Sequence, residues 1–154
     1  MAAAGAYLLD TNIVLLATRA GSSASAAIDA RFGLGQSQFR PAISEVSVGE
    51  LLAFARSSKW GESRRQKLRL AIDQMLVIPI SRAEIHARWA ELYSHAKAKG
   101  LAIQHDHNDV WIGATASVAG MTLLSTDRKA FLPLRGTEWI DVIIIDPLTG
   151  EMIP

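Results

Sequence analysis

A three-layer α/β fold follows from the sequence on three observations. Short apolar runs alternate with longer stretches whose apolar residues fall at helical spacing, the signature of strands wound between helices. Two of these runs stop at or just before an aspartate: Tyr7-Leu-Leu9 ends at Asp10, and Thr122-Leu-Leu124 is followed by Ser125-Thr126-Asp127. A third, Asp141–Asp146, is nearly continuous in branched apolar residues, which suits a parallel strand covered on both faces. No repeat, linker or low-complexity tract interrupts the 154 residues, so one domain spanning 1–154 is expected.

In order, Ala6–Leu9 reads as the first strand and Thr11–Arg19 as a short helix. Ile13, Val14, Leu15, Leu16 and Ala17 leave that helix little polar face, which implies burial in the core or a subunit contact. Ser23–Phe32 is a second helix, ended by Gly33 or Gly35, and Gly35–Arg40 is a polar connection. Pro41–Ser44 is the second strand, with proline tolerated at its start. Ser44–Ser57 forms a helix with Val48, Leu51, Leu52 and Ala55 on one face. Glu62–Leu76 is helical, and Val77–Ile80 is the third strand. Arg82–Lys99 is the longest helix, stopped by Gly100, with Glu84 and Arg88 placed for an i,i+4 ion pair. Gln104–Asn108 leads into a helix over Asp109–Ala119, and Met121–Ser125 and Asp141–Asp146 complete the strands.

Bulk composition narrows the chemistry. The chain is 49% hydrophobic and 20% charged, which excludes a disordered chain. The absence of cysteine removes disulfides, thiolate nucleophiles and Cys-based zinc sites, and suits a reducing, cytoplasmic compartment. The first residues lack a basic segment and make a poor secretory signal, and no apolar run approaches the roughly 20 residues of a membrane helix. Net charge is +1, so a nucleic-acid role must rest on local charge. No phosphate-binding glycine loop, Gly-x-Ser-x-Gly elbow or His-Glu-x-x-His is present.

The candidate chemistry lies in carboxylates. Asp10 and Asp127 end strands, where open α/β sheets place ligands, although each is also suited to cap the helix that follows. Asp109 lies at a helix start, where the helix dipole favours the anion, as befits a metal ligand. Asp106, one turn earlier, is its rival; if Asp106 caps the helix, Asp109 stands at the third position inside it. Glu50 fits a Ser47-to-Glu50 capping box, yet if the helix starts at Ser44 it caps nothing, and Glu45 instead answers the dipole. Two carboxylates about 4 Å apart repel by roughly 4 kcal/mol at an effective dielectric near 20. A convergent set therefore needs cations or shared protons. Oxygen-only ligands select Mg²⁺ or Mn²⁺, and such an ion activates water and polarises phosphoryl groups.

Leu8-Leu-Asp-Thr-Asn12, Ser47-Val-Gly-Glu-Leu51, Asn108-Asp-Val-Trp-Ile-Gly-Ala114 and Leu124-Ser-Thr-Asp-Arg-Lys-Ala-Phe131 occur in that order. Together they resemble the PIN-domain family, more closely its VapC-like toxin branch, from about Tyr7 to Pro147. The resemblance implies a five-stranded parallel sheet in the order 3-2-1-4-5 and a divalent-metal-dependent ribonuclease. It puts the acidic quartet, both catalytic and metal-binding, on Asp10, Glu50, Asp109 and Asp127. Asn12 and Ser125 match small polar residues that hydrogen-bond the acids. A homodimer, a cognate antitoxin that blocks the site, and cleavage to a 5′-phosphate and a 3′-hydroxyl are also implied. The stretch His105-Asp106-His107 departs from the plainer family pattern and leaves Asp106 as a fifth acid.

Arg56, Lys59, Arg64, Arg65, Lys67 and Arg69 form a basic cluster, read either as a solvated helix face or as RNA-phosphate contacts led by Lys59, Arg64 and Arg65. Trp60 is placed to stack a base or to pack in a turn. His105 and His107 are solvated loop residues or contacts to phosphate or metal, and His86 and His95 are structural. The reading is a Mg²⁺-dependent endoribonuclease toxin of a type II system. The alternatives are a non-catalytic RNA-binding or protein-interaction module and a housekeeping RNA-processing nuclease. A receiver-like phosphotransfer switch fits poorly, because Ile80-Ser81 and Asp146-Pro147 stand where it would need an aspartate and a lysine.

Overall fold

Successive residues of a strand face opposite sides of its sheet, and that alternation sets the layers. The computed structural model describes residues 5–19, 21–34 and 40–154. Its five strands are β1 (Tyr7–Leu9), β2 (Ala42–Ser44), β3 (Leu76–Ile78), β4 (Thr122–Ser125) and β5 (Val142–Ile144), all parallel in the order β3-β2-β1-β4-β5. Leu9, Ile43 and Leu124 pack on one side against α1 (Thr11–Ala17), α2 (Ser23–Phe32), α3 (Glu45–Ser57) and α4 (Glu62–Asp73), through Ile13, Val14, Ile28, Leu51 and Leu68. Leu8, Ala42, Leu123, Val142 and Ile144 pack on the other against α5 (Ala83–Lys99), α6 (His107–Ala119) and α7 (Arg128–Phe131), through Leu92, Ala96, Val110, Ile112 and Phe131. Each Val, Leu, Ile or Phe among them taken fully out of water contributes about 1.5–3 kcal/mol, so the two sheet faces anchor the positions of the strand ends. Among the described residues no helix is long and apolar enough to cross a membrane.

Helix α1 is buried through Thr11, Ile13, Val14 and Leu16, with Asn12, Thr18 and Arg19 exposed. Helix α2 ends at Gly33, which is left-handed at φ 61°; Gly35 and most of the expected polar connection, residues 35–39, lie outside the described residues. Helix α4 stops at Asp73 rather than at Leu76. The Arg40 guanidinium donates to the carbonyls of Asp73, Gln74 and Met75 at 2.9–3.0 Å, satisfying groups that a helix end leaves unpaired. Strand β3 begins one residue earlier than expected because Leu76 N–H donates to Pro41 O at 2.9 Å. It ends before Pro79, which has no N–H to give the ladder. On α3, Leu51 and Ala55 are buried but Leu52 is exposed, so the inward stripe is narrower than helical spacing implies.

The expected Glu84–Arg88 pair does not form. Glu84 lies 3.7 Å from Arg82, while Arg88 pairs with Glu91 at 3.0 Å and donates to Ser117 Oγ across the α5–α6 contact. The tertiary partner on α6 draws Arg88 away from its helical neighbour.

The outer side of β5 is closed by the C-terminal tail through an antiparallel Ile145–Met152 bridge and an Ile153 N–H to Ile144 O hydrogen bond of 2.8 Å. Gly150 makes that return with φ 74°, and a Cβ there would stand 2.6 Å from Ala24 O and 2.9 Å from Ala27 Cβ on α2. Gly150→Ala combines a left-handed backbone with a clash against main chain. It is expected to cost about 2–4 kcal/mol, or roughly 4–16 °C in Tm for a chain of this size. An unchanged melting curve would contradict this packing.

Candidate active site

The strand order reverses between β1 and β4, and in open α/β sheets the crevice beyond the carboxyl ends at such a point is where ligands bind. The residues that follow those two strands meet there. Asp10, only 3% exposed, caps α1 by accepting the Thr11 N–H at Oδ1 (2.7 Å), and its own N–H continues the ladder to Leu124 O (2.9 Å). Ser125 Oγ, fully buried, donates to Asp10 Oδ2 at 2.6 Å and accepts the Asp127 N–H at 2.9 Å. Asp127 caps α7 through Ala130 N–H at 2.9 Å. Both strand-end aspartates are thus helix caps and crevice residues at once. A cap fixes the carboxylate's orientation without consuming both of its oxygens.

Glu50 arrives from β2 and α3. Ser44 is the N-cap of α3, so Glu50 falls in the second turn and the Ser47–Glu50 capping box is not formed. Glu45 is in the first turn, and its carboxylate accepts the Ile80 N–H at 2.6 Å. Two side chains hold Glu50: Thr11 Oγ1 donates to Oε1 at 2.7 Å, and Asn108 Nδ2 donates to Oε2 at 3.2 Å. Thr11 Oγ1 also lies 3.0 Å from the buried Ser47 Oγ. Having one proton, Thr11 gives it to the carboxylate and accepts from Ser47.

At α6 the geometry assigns the cap. Asp106 is the N-cap, its Oδ1 accepting from Asn108 N (3.0 Å) and Asp109 N (3.3 Å), and Asp109 is the third residue inside the helix. Asp109 is the most perturbed acid. Burial, above all, raises its pKa to about 8, with the charges of Asp10, Asp106, Asp127 and Glu50 adding to the rise in that order. Asp10 is raised to about 6, chiefly by burial, opposed by the Ser125 and Thr11 hydrogen bonds and reinforced by Glu50 and Asp127. Asp10, Glu50, Asp109 and Asp127 therefore share one electrostatic neighbourhood. A hydrogen-bonded chain joins all four motifs, from Asp127 N–H through Ser125, Asp10, Thr11, Glu50 and Asn108 to Asp106.

Asn12, expected beside Ser125 as a support, makes no side-chain hydrogen bond to the acids among the described residues. It is exposed and faces a neighbouring hollow. Thr11 and Asn108 take that part, and both were within reach of the sequence: each directly adjoins an acid inside one of the four motifs. His107 packs edge-on against Trp89 (5.5 Å) and Tyr93 (5.6 Å), while His86 and His95 pack on Trp111 and Trp139. In the basic region Arg65 pairs with Glu62 at 3.1 Å, and the Arg64 guanidinium lies 3.8 Å over the Trp60 ring.

Among the described residues no group of three or more His, Asp or Glu side chains is arranged to hold a metal ion unaided. The carboxylates of Asp10, Glu50, Asp106 and Asp127 are each tied to their own hydrogen-bond donors. The donor set still fits a hard divalent cation. Its ligands are carboxylate oxygens, burial and then the neighbouring carboxylates raise the pKa of Asp109, and Mg²⁺ is usually held through one or two carboxylates with several waters. Asp10 and Asp109, with Glu50 and Asp127 flanking, are the residues suited to it.

The family model for the PIN domain matches residues 7–133. Among solved structures, VapBC2 from Rickettsia felis, determined bound to a DNA fragment from its promoter, superposes with a TM-score of 0.72. Identity is 24%, over 88% of this chain and 96% of that one. VapBC-5 from Mycobacterium tuberculosis, a member of the VapBC family of toxin-antitoxin systems, gives 0.62 and 20% over 92% and 99%. FitAcB from Neisseria gonorrhoeae gives 0.68 and 21% over 92% and 97%. At these identities the likeness is one of fold. No curated protein matches the chain by sequence. PIN domains are generally nucleases. With the family model spanning most of its length, this chain belongs to the PIN domain family.

Proposed function

We propose that this chain is a Mg²⁺-dependent endoribonuclease, the toxin of a VapBC-like pair. The observation that carries the reading is the shared neighbourhood of Asp10, Glu50, Asp109 and Asp127 at the strand-order reversal, where burial first and the neighbouring carboxylates second raise the pKa of Asp109 to about 8. A bound divalent cation would supply the charge that polarises a phosphoryl oxygen and makes a water acidic. The chain does the rest. Ser125 and Thr11 orient Asp10, Thr11 and Asn108 orient Glu50, and the Asp106 cap fixes the start of α6 beneath Asp109. Water attacks phosphorus in line, the bond to the 3′ oxygen breaks, and that oxygen takes a proton, leaving a 5′-phosphate and a 3′-hydroxyl. The likeness to the VapBC2 and FitAcB structures supports an antitoxin partner; a homodimer and cytoplasmic action are part of the same proposal.

The test is incubation of the purified chain with cellular RNA and mapping of the new ends. Cleavage should vanish in excess chelator and return with Mg²⁺ or Mn²⁺; cleavage that persists in chelator would discard the mechanism.

In this reading Lys59, Arg64 and Arg65 face the bound RNA, Lys59 and Arg65 as phosphate contacts. Reversing Lys59 and Arg65 to glutamate is expected to weaken RNA binding and to reduce the slope of log K against log salt by about 0.7 for each phosphate no longer neutralised. A salt slope equal to that of the parent chain would remove these residues from the interface.

A further inference from the structure

Beside the acids a hollow of about 360 Å³ opens between α1, the end of α3, the start of α4 and the turn after β5. Asn12, Arg19, Trp60, Arg64, Thr126 and Leu148 line it, and no Asp or Glu does. Asn12 is two residues from Asp10, and Thr126 lies between Ser125 and Asp127, so the hollow shares its rim with the candidate active site.

Its walls are held in place. Lys59, left-handed at φ 54°, ends α3 sharply, with Lys59 N–H and Trp60 N–H returning to Arg56 O and Ala55 O at 3.0 Å each. The indole then meets the Phe54 ring edge-on at 5.7 Å and carries the Arg64 guanidinium on its face at 3.8 Å. Across the hollow, Asp146 Oδ1 accepts the N–H groups of Leu148 and Thr149 (2.7 and 3.3 Å), and Leu148 stands 82% exposed at the rim. Neither Arg19 nor Arg64 has a carboxylate partner within ion-pair distance among the described residues.

A guanidinium stacked on an indole offers its second face to another ring, and nucleobases stack on such planes. A second guanidinium, that of Arg19 on the same hollow, suits the phosphate. We propose that this hollow binds the base and phosphate of the nucleotide next to the scissile bond and so selects which base flanks the cut. The proposal rests on the ribonuclease reading for the word "scissile"; single-stranded RNA binding in the hollow stands apart from it. Leu148 shields the stacked base from water, and Arg19 neutralises its phosphate.

The experiment has two arms. In the first, the full chain carrying Asp10→Asn is titrated in Mg²⁺ with labelled single-stranded RNA decamers, alone and with Arg19→Gln, Arg64→Gln, Trp60→Phe or Trp60→Ala. Arg64→Gln, which removes the plane on which the base stacks, should weaken binding by about threefold or more, and Trp60→Ala, which removes the indole that supports that plane, should weaken it in the same direction. Trp60→Phe, which keeps a ring if the alanine variant folds poorly, should retain most affinity but lose the quenching of tryptophan fluorescence by bound RNA. In the second arm, ends cut by the otherwise native chain are mapped, and the preferred base at one position beside the cut should change with Arg64→Gln. If affinity, quenching and base preference all stay as in the parent, the hollow is not an RNA subsite. If the native chain cuts no RNA, the ribonuclease reading fails, while the binding arm still decides the hollow.

Discussion

Asp10→Asn is expected to lower RNA cleavage by more than about 100-fold while leaving the fold standing. The activity side follows from position. Asp10 is the buried acid whose two oxygens are both fixed, by Thr11 N–H and by Ser125 Oγ, so it presents a preset orientation to the crevice. Loss of a partner that merely orients a ligand costs about 10–100-fold; loss of the ligand itself should exceed that. The fold side follows from the hydrogen bonds that survive. Asparagine keeps one carbonyl oxygen for Thr11 N–H and turns its amide toward Ser125, whose hydroxyl can accept as well as donate. It also removes a charge that burial, Glu50 and Asp127 all disfavour. Tm should therefore hold or rise. Ser125→Ala removes only the donor at 2.6 Å, and its loss of activity should fall within the range of about 10–100-fold. Activity retained in Asp10→Asn, measured beside an unchanged melting curve, would remove this carboxylate from the chemistry.

The strands and helices were legible because each has a periodic apolar pattern with a clear stop. Asp10 closes β1, Ser44 closes β2 and caps α3, and Gly100 closes α5 in the left-handed region. The convergence of the acids was legible only through the order of four motifs, since spacing along a chain does not say which strands become neighbours. What escaped the sequence were choices between partners. Arg88 had an ideal helical neighbour in Glu84 but found Ser117 and Glu91 instead. Leu52 lies on the apolar stripe by spacing, yet α3 buries only the narrower line through Ser47, Leu51 and Ala55. Thr11 and Asn108 read as filler between acids until folding put both within reach of Glu50. Asn12, one residue further along, rotates off that line by the helical step and faces the hollow. Side chains that act through tertiary hydrogen bonds carry no periodic signal.

From about pH 6 to about pH 8 the metal-free protein should lose stability as pH rises, and Asp109→Asn should abolish that slope. The unfolded chain releases the Asp109 proton near the ordinary aspartate value of 3.8, whereas the folded chain holds it to about 8. Between those values the folded state carries more protons than the unfolded state, so stability falls with rising pH. The contribution is complete below about 3.8 and gone above about 8. Asp10 acts in the same direction, but its window closes near 6, so the interval above that isolates Asp109. A divalent cation must reverse the trend, because it competes with the proton for the same oxygens and gains affinity as Asp109 ionises. At about 100 times its Kd the cation adds about 2.7 kcal/mol, or roughly 5–11 °C in Tm for a chain of this size. That gain should be larger at about pH 8 than at about pH 6 in the parent and nearly pH-independent in Asp109→Asn. Thermal melts at the two pH values, with chelator and with Mg²⁺, decide the matter. Equal slopes in parent and variant would mean that Asp109 ionises normally in the folded chain and that the crevice lacks the crowding of charge on which a cation would act.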